Sequence, residues 1–209
     1  MKNIIKYGIF ALMSAFMGAV IALQTASNMD NPLLPSYTIG YITRSSTILE
    51  FSPTIISLIL AGKVGSNIAS EVGTMRVTEQ IDALEIMGIN AAGYLILPKI
   101  IAGVVMVPVL VTVAIACALV GGLLGGALSG AVTPDDYIDG IRGGFNGFTM
   151  VVAMVKATVF GFIIASIPAY KGFYVRGGAL EVGQAGTRAV VIGCISILAC
   201  DYLITALML

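Results

Sequence analysis

The polar stretch at residues 71–90 reads EVGTMRVTEQIDALEIMGIN and interrupts an otherwise very apolar chain near its middle. It contains Arg76 and four of the eleven acidic residues of the chain, which are Glu71, Glu79, Asp82 and Glu85. Long apolar runs flank it on both sides. Because charged side chains avoid the hydrocarbon core of a bilayer, we interpret this stretch as a loop between two membrane spans that meets another protein.

The spacing of apolar residues inside this stretch predicts a short amphipathic helix over residues 76–87. Val77, Ile81 and Leu84 recur on one helical face, whereas Glu79, Asp82 and Glu85 lie on the opposite face. Gly88 is placed to end the helix in a left-handed conformation. A helix of about eleven residues is too short to cross a bilayer, which needs roughly 20 residues. It therefore lies at the membrane surface or in the groove of a partner, unless it is an ordinary solvated loop helix.

The composition of the chain indicates an integral membrane protein. Hydrophobic residues make up 58% and charged residues 11% of the 209 positions, and the mean hydropathy is +1.00. Soluble domains average about 25% charged residues. The net charge is zero, so a nucleic-acid partner is not indicated. The chain has no His, and its three Cys lie inside apolar runs, so neither a metal site nor a disulfide framework is expected.

The order of apolar and polar segments predicts an all-α membrane protein with a single transmembrane domain over residues 1–209. Pro98 and Pro108 allow a bend in the long third span, and Pro168 is expected to end the fourth. The five predicted spans cover about 5–23, 47–65, 95–128, 148–168 and 188–208.

Basic residues orient these spans, because cytoplasmic loops of membrane proteins are enriched in Lys and Arg. Arg44 and Arg142 fall on one side of the membrane, and Lys156 lies within a span. Eight basic residues fall on the other side, namely Lys2, Lys6, Lys63, Arg76, Lys99, Lys171, Arg176 and Arg188. The bias predicts a cytoplasmic N-terminus, and it places the 71–90 stretch in the cytoplasm as well.

Small residues recur at four-residue spacing in the third span. The pairs are Gly121 with Gly125, Gly122 with Gly126, and Gly126 with Gly130. This spacing lets helix backbones approach closely in lipid, so it predicts a packed helix pair, which could lie at a dimer seam. Alternatively, glycine is simply frequent in membrane helices.

Three ionisable residues, Glu50, Lys156 and Asp201, fall inside predicted spans. A charge near the centre of a span costs at least roughly 2.5–3.5 kcal/mol on insertion scales, so it tends to face a cavity or an opposite charge. We expect the three to compensate one another and to line a path for an amphiphilic headgroup. The alternative is a structural ion pair near the membrane interface, with Lys156 reaching toward water.

The sequence contains none of the common signatures of an ATP-binding or catalytic site. Gly62-Lys63 is followed by Val64 and has no upstream glycine at the spacing of a phosphate-binding loop. We therefore expect no enzyme and no cofactor in this chain. Energy for any transport must come from a partner or from an ion gradient.

Three segments of the chain carry a family resemblance. They are EFSP at 50–53 followed by AGKVGSNIASEVGTMRVTEQIDALEIMG at 61–88, GALEVGQAGTRAVV at 178–191, and DYLITALM at 201–208. Together they resemble the MlaE/YrbE permeases, which are the membrane subunits of ABC transporters that work with MCE-domain proteins. The resemblance covers essentially the whole chain, and the 71–88 motif is long and specific.

The resemblance implies a fold, partners and a lipid cargo. Such permeases have five spans, form homodimers in the bacterial inner membrane and bind two copies of a cytoplasmic ATPase, which holds the ATP. They move phospholipid or related lipid between inner and outer membranes, with an MCE-domain protein outside. By match, Arg76 to Met87 is the coupling helix, and Glu50, Lys156 and Asp201 match charged residues of the lipid cavity.

Within the coupling helix, we expect the partner ATPase to grip a mixed surface of Glu79, Asp82, Glu85 and Ile86. The Val77–Ile81–Leu84 face would then pack on the permease itself. Two features depart from the family pattern. Leu49 stands where many members have an Arg, and the chain starts almost at its first span, where many members have an interfacial helix.

Two functions of other classes remain open from the sequence. A gradient-driven secondary transporter would use Glu50 or Asp201 as a proton site, although no inverted repeat is visible. A membrane scaffold would use the cytoplasmic helix only to recruit a soluble protein.

Overall fold

The computed structural model of this chain describes residues 2–28 and 35–208, and helices dominate it without any strand in that part. Five helices are long and apolar enough to cross a membrane, which confirms the predicted all-α, five-span fold. We number the helices α1 (Lys2–Asn28), α2 (Tyr37–Val77), α3 (Gln80–Ile86), α4 (Ala91–Leu128), α5 (Pro134–Arg142), α6 (Gly147–Phe173) and α7 (Ala179–Met208).

The second span is much longer than the predicted 47–65. Helix α2 begins at Tyr37 and continues to Val77, because neither of its polar ends, 37–46 and 66–77, contains a proline. Near its end, polar side chains bond back to their own helix, as when the Thr74 hydroxyl donates to the Ser70 carbonyl at 2.7 Å. The length of the apolar run therefore predicted the part of α2 that is suited to the lipid core of a membrane. It did not predict the full length of the helix.

The backbone of α2 widens into π-helical turns at Thr47–Ile55 and Ala61–Gly65. The first of these contains Pro53, whose ring would clash with the carbonyl four residues earlier in a regular α-helix. A wider turn accommodates the ring without breaking the helix. Glu50 lies within this same distorted segment.

Pro168 does not end the fourth span, contrary to the prediction, since α6 runs through it to Phe173. The ring is fully buried and lies beside Gly65, where even a Cβ atom would come within 3.1 Å of the Pro168 Cγ. Glycine at position 65 thus leaves room for the ring. The fifth span also starts earlier than predicted, at Ala179 rather than residue 188.

Contacts group the chain into two compact units, and each is described on its own. The first unit contains residues 1–53 and 110–153. There α1 and α4 pack closely through small residues: Gly121 faces Ala15, Gly125 faces Ala19, and Gly18 faces Ala118. This arrangement confirms the predicted close packing of two helices, and both helices, α1 and α4, belong to the same chain.

The same unit holds a small core under the loop that follows α4. Its buried members are Ala22, Ile39, Val132 and Tyr137. Helix α5 starts with Thr133, whose hydroxyl accepts a hydrogen bond from the Asp136 amide at 3.3 Å, and Pro134 occupies the first turn. This is a normal N-terminal cap, so the polar segment at 129–147 contains an ordered helix.

The second unit contains residues 54–109 and 154–209. Its core gathers the ends of α2, α4 and α6 around Ile81 of the short helix α3. Helices α4 and α6 meet where Gly103 and Gly161 face each other, and α2 meets α7 where Gly73 faces Val182. An ion pair between the Lys99 Nζ and the Glu71 Oε2, at 2.6 Å, links α4 to α2.

Candidate coupling and transport sites

The predicted coupling helix is shorter than expected at its start. Arg76 and Val77 belong to the last turn of α2, and α3 begins only at Gln80, so the predicted bounds of 76–87 were wrong at that end. The break falls at Glu79, whose φ of 60° is left-handed. Among the described residues, Glu79 is the one non-glycine with a positive φ, a conformation that costs of order 1–3 kcal/mol and often marks functional segments.

The apolar face of α3 anchors this helix to the membrane helices. Ile81 is fully buried, and Leu84 packs at the edge of the same core. Both therefore face the membrane helices of the same chain, as predicted. Val77 does not, since it lies outside that core and is 36% exposed. The reason is the turn at Glu79, which interrupts the continuous helix on which the predicted face depended.

The outer surface of α3 is acidic and apolar. Ile86 is 87% exposed, and Met87, Glu79 and Glu85 are also exposed. Asp82 differs from the other acids because its Oδ1 pairs with the Arg76 Nη1 at 2.7 Å. Asp82 and Arg76 thus bridge α3 to the end of α2. The surface available for a partner is therefore Glu79, Glu85, Ile86 and Met87.

Gly88 ends α3 as predicted. Its φ is 77°, its amide donates to the Glu85 carbonyl at 3.0 Å, and the Ile89 amide donates to the Leu84 carbonyl at 3.1 Å. These two hydrogen bonds form a Schellman motif, which needs a left-handed residue at the position of Gly88.

Two of the three charges predicted inside the membrane form an ion pair in the second unit. The Lys156 Nζ of α6 lies 2.8 Å from the Asp201 Oδ1 of α7. The Lys156 side chain is completely buried, and that of Asp201 is 15% exposed. Burial weakens solvent screening, so this pair is far stronger electrostatically than an exposed one. A buried pair is also polar enough to receive the headgroup of an amphiphile, provided that the two charges can separate.

Glu50 belongs to the first unit, on the widened segment of α2, and it is half-buried. Its placement beside Lys156 and Asp201 stays a prediction. The π-helical turn around Glu50 is the kind of distortion that recurs at functional sites in membrane and soluble proteins.

A second buried cation, Arg44, was not predicted as a special residue. It is 5% exposed, and its guanidinium donates to the carbonyls of Ile141 (2.7 Å), Gly143 (2.9 Å) and Gly144 (3.3 Å). The Tyr41 ring centroid lies 4.8 Å from the Arg44 Cζ. These carbonyls lie at the C-terminal end of α5, where the helix dipole favours a positive charge. The three-residue spacing of Tyr41 and Arg44 places them on one helical face. This spacing is the weak sequence signal from which their contact could have been predicted.

Comparison with known proteins places these features in a family. The model of the Permease MlaE family matches residues 5–207. The chain is 38% identical over 199 residues to a probable ABC transporter permease protein of Rickettsia bellii, covering 95% of this chain and 76% of that protein. It is 32% identical to a similarly named protein of Synechocystis sp., over 95% of this chain and 75% of the relative.

A plant protein also matches this chain. The chain is 33% identical over 199 residues to the Arabidopsis thaliana protein TRIGALACTOSYLDIACYLGLYCEROL 1, chloroplastic. That match covers 95% of this chain and 57% of the plant protein.

Proposed function

This chain belongs to the MlaE family of ABC transporter permeases, and we propose that it is the membrane subunit of a transporter that moves phospholipid or a related lipid between inner and outer membranes. The observation that carries the proposal is the buried Lys156–Asp201 pair inside two membrane-spanning helices. The name of the Arabidopsis relative, which is that of a galactolipid, supports a lipid cargo. The remaining parts of the assembly follow from the family: a cytoplasmic ATPase, a second copy of this chain and an MCE-domain protein outside.

In the proposed mechanism, the ATPase contacts α3 and transmits its conformational change through this helix. Ile81 seats α3 among the ends of α2, α4 and α6, so a force on its outer surface reaches all three helices together. The Arg76–Asp82 bridge stiffens the joint with α2. Movement of these helix ends would shift α6 against α7, where Lys156 and Asp201 meet, and would open the pair to a lipid headgroup. Such coupling requires two states in which the ATPase contacts differ.

The test is co-purification of the ATPase with variants of the α3 surface. The triple variant Glu79→Lys, Glu85→Lys, Ile86→Asp should lose ATPase binding while inserting in the membrane normally. The matched control is Asp139→Lys, which reverses an exposed acid on α5. Asp82→Asn should have a smaller effect on ATPase binding, because Asp82 bonds within the chain.

Lipid analysis of the purified complex completes the test. Bound phospholipid together with a stable ATPase supports the proposal. Full ATPase binding by the triple variant would remove the coupling role of α3. Proton-driven transport by the chain without any ATPase would instead favour a gradient-driven transporter.

A further inference from the structure

A cavity of about 360 Å³ opens where α6 ends and α7 begins, in the second unit. Its lining combines basic, aromatic and a few small side chains. The residues are Tyr170, Lys171, Tyr174, Val175, Arg176, Glu181, Gln184, Ala185 and Arg188. None of these residues belongs to the coupling surface or to the buried ion pair.

The charge of this cavity is positive, because three cations and one carboxylate line it. The carboxylate is already engaged, since the Glu181 Oε2 accepts a hydrogen bond from the Gly178 amide at 2.9 Å. Among the described residues, Lys171 and Arg176 make no ion pair with an acidic side chain. Arg188 makes one long hydrogen bond, from its Nη2 to the Gln184 Oε1 at 3.5 Å. The cavity therefore offers donors and charge suited to an anion.

The depth of the cavity relative to the membrane points to a lipid rather than to a soluble anion. The apolar part of α6 ends at Tyr170, and the apolar part of α7 starts after Arg188. Tyr170 and Tyr174 are exposed, with ring centroids 4.9 Å apart. Tyrosine and arginine at such boundaries mark the level of the lipid headgroups. By the positive-inside bias this is the cytoplasmic leaflet, where basic pockets between helices bind anionic headgroups.

A second cavity, of about 490 Å³, shares Gln184 and Arg188 with the first. Its other lining residues are uncharged and mostly small or apolar: Ala179, Leu180, Gly183 and Thr187. Arg188 thus stands between a cationic cavity and an uncharged one. The uncharged cavity precedes the apolar part of α7, so it is not placed to hold the acyl chains of a membrane lipid.

We infer that the cationic cavity, the α6–α7 basic pocket, binds the phosphate group of an anionic phospholipid of the surrounding membrane. Lys171, Arg176 and Arg188 would contact the phosphate, and the tyrosines would flank the headgroup. The pocket is distinct from the proposed transport path: Lys156 lies fourteen residues before Tyr170 on α6, roughly 21 Å away at 1.5 Å per residue. The bound lipid would serve as a resident ligand and not as cargo.

Lipid binding to the full chain in detergent, followed by native mass spectrometry, tests this inference. The probes are dioctanoyl phosphatidylglycerol, dioctanoyl phosphatidylcholine, inorganic phosphate and glycerol 1-phosphate. We expect phosphatidylglycerol to bind about tenfold more tightly than phosphatidylcholine, with a preference that weakens as salt rises. Inorganic phosphate and glycerol 1-phosphate should compete poorly.

The triple variant Lys171→Gln, Arg176→Gln, Arg188→Gln should lose that tenfold preference while keeping its affinity for phosphatidylcholine. Arg142→Gln, which removes an exposed arginine from α5, is the matched control and should keep the preference. If the triple variant does not fold, the single variants Arg176→Gln and Arg188→Gln should each lower the preference severalfold.

Three outcomes would overturn the inference. The triple variant could keep the full preference, inorganic phosphate could compete as well as the lipid does, or the triple variant could lose a bound acidic protein while its lipid binding is unchanged. Lys156→Ala should leave this binding intact. A failure here is therefore distinguishable from a failure of the proposed transport function.

Discussion

Two cations are buried among the residues whose side chains the structure describes, and they are neutralised in different ways. Arg44, in the first unit, donates hydrogen bonds to three backbone carbonyls at the C-terminal end of α5. Lys156, in the second unit, pairs with the carboxylate of Asp201 on a neighbouring membrane helix. The partners of Arg44 are dipoles that belong to the backbone, whereas Asp201, which pairs with Lys156, carries a full charge on its side chain.

We propose that this difference separates a structural role for Arg44 from a functional role for Lys156. Carbonyls at a helix end cannot rotate away without unfolding the turn that presents them, so Arg44 holds α2 and α5 together permanently. A carboxylate on its own side chain can exchange one cation for another, so the Lys156–Asp201 pair can open to a ligand. We therefore expect changes at Arg44 to alter stability, and changes at Lys156 to alter transport.

The largest effect is expected at Lys156. Lys156→Ala should abolish lipid transport, because it removes the cation proposed to receive the headgroup, and it should leave folded protein in the membrane. Removing one partner of a buried pair costs about 3–5 kcal/mol, so some loss of thermal stability is expected as well. Transport of fluorescent lipid by the reconstituted complex, together with the thermal unfolding temperature in detergent, measures both effects.

A double variant controls for the loss of stability. Lys156→Met combined with Asp201→Leu replaces the pair with apolar side chains, which often restores stability. It should unfold near the wild-type temperature and still fail to transport. Wild-type transport by either variant would mean that the pair is purely structural.

An intermediate effect is expected at Arg44. Arg44→Met removes charged donors from buried carbonyls and should lower the free energy of unfolding by about 1.5–3 kcal/mol. Arg44→Lys should recover only part of this, because an ammonium group lacks the planar fork that reaches several carbonyls at once. Chemical unfolding in detergent measures the loss, and transport per folded molecule should stay at the wild-type level. A transport defect in fully folded Arg44→Lys would erase the distinction between the two cations.

The smallest effect is expected at Tyr137, a buried polar group without a charge. Its hydroxyl donates to the Leu119 carbonyl at 3.4 Å, which is long, so Tyr137→Phe should cost less than about 1 kcal/mol. Burial raises the pKa of Tyr137 to about 12 from its usual 10. The neutral form is thus favoured in the folded state, and this stability is complete below pH 10 and lost between pH 10 and 12.

The Phe variant lacks the titrating group, so it isolates this contribution. Unfolding curves at pH 9, 10 and 11 should show the wild type losing stability relative to Tyr137→Phe as the pH rises. Parallel behaviour of the two proteins would show that the Tyr137 hydroxyl titrates equally in the folded and unfolded chains.

Helix α3 shows which structural features can be predicted from the local sequence pattern. The spacing of Ile81 and Leu84 predicted the face that packs on the permease, and Gly88 ends the helix as expected. The break at Glu79 was not predictable, because nothing in its local sequence favours a left-handed glutamate. The pairing of Asp82 with Arg76 likewise depends on that break, since the turn brings the two side chains together.

The sequence by itself determined the membrane character, the number of spans, and Lys156 and Asp201 as charges inside those spans. These follow from hydropathy and residue spacing, which are local and need no knowledge of neighbours in space. Tertiary structure alone decided that Lys156 meets Asp201, that Arg44 meets carbonyls about a hundred positions away, and that Gly121 and Gly125 face α1. Those contacts depend on which helix faces pack together. The pattern of apolar residues along a helix predicts which of its faces is buried, but not which other helix packs against that face.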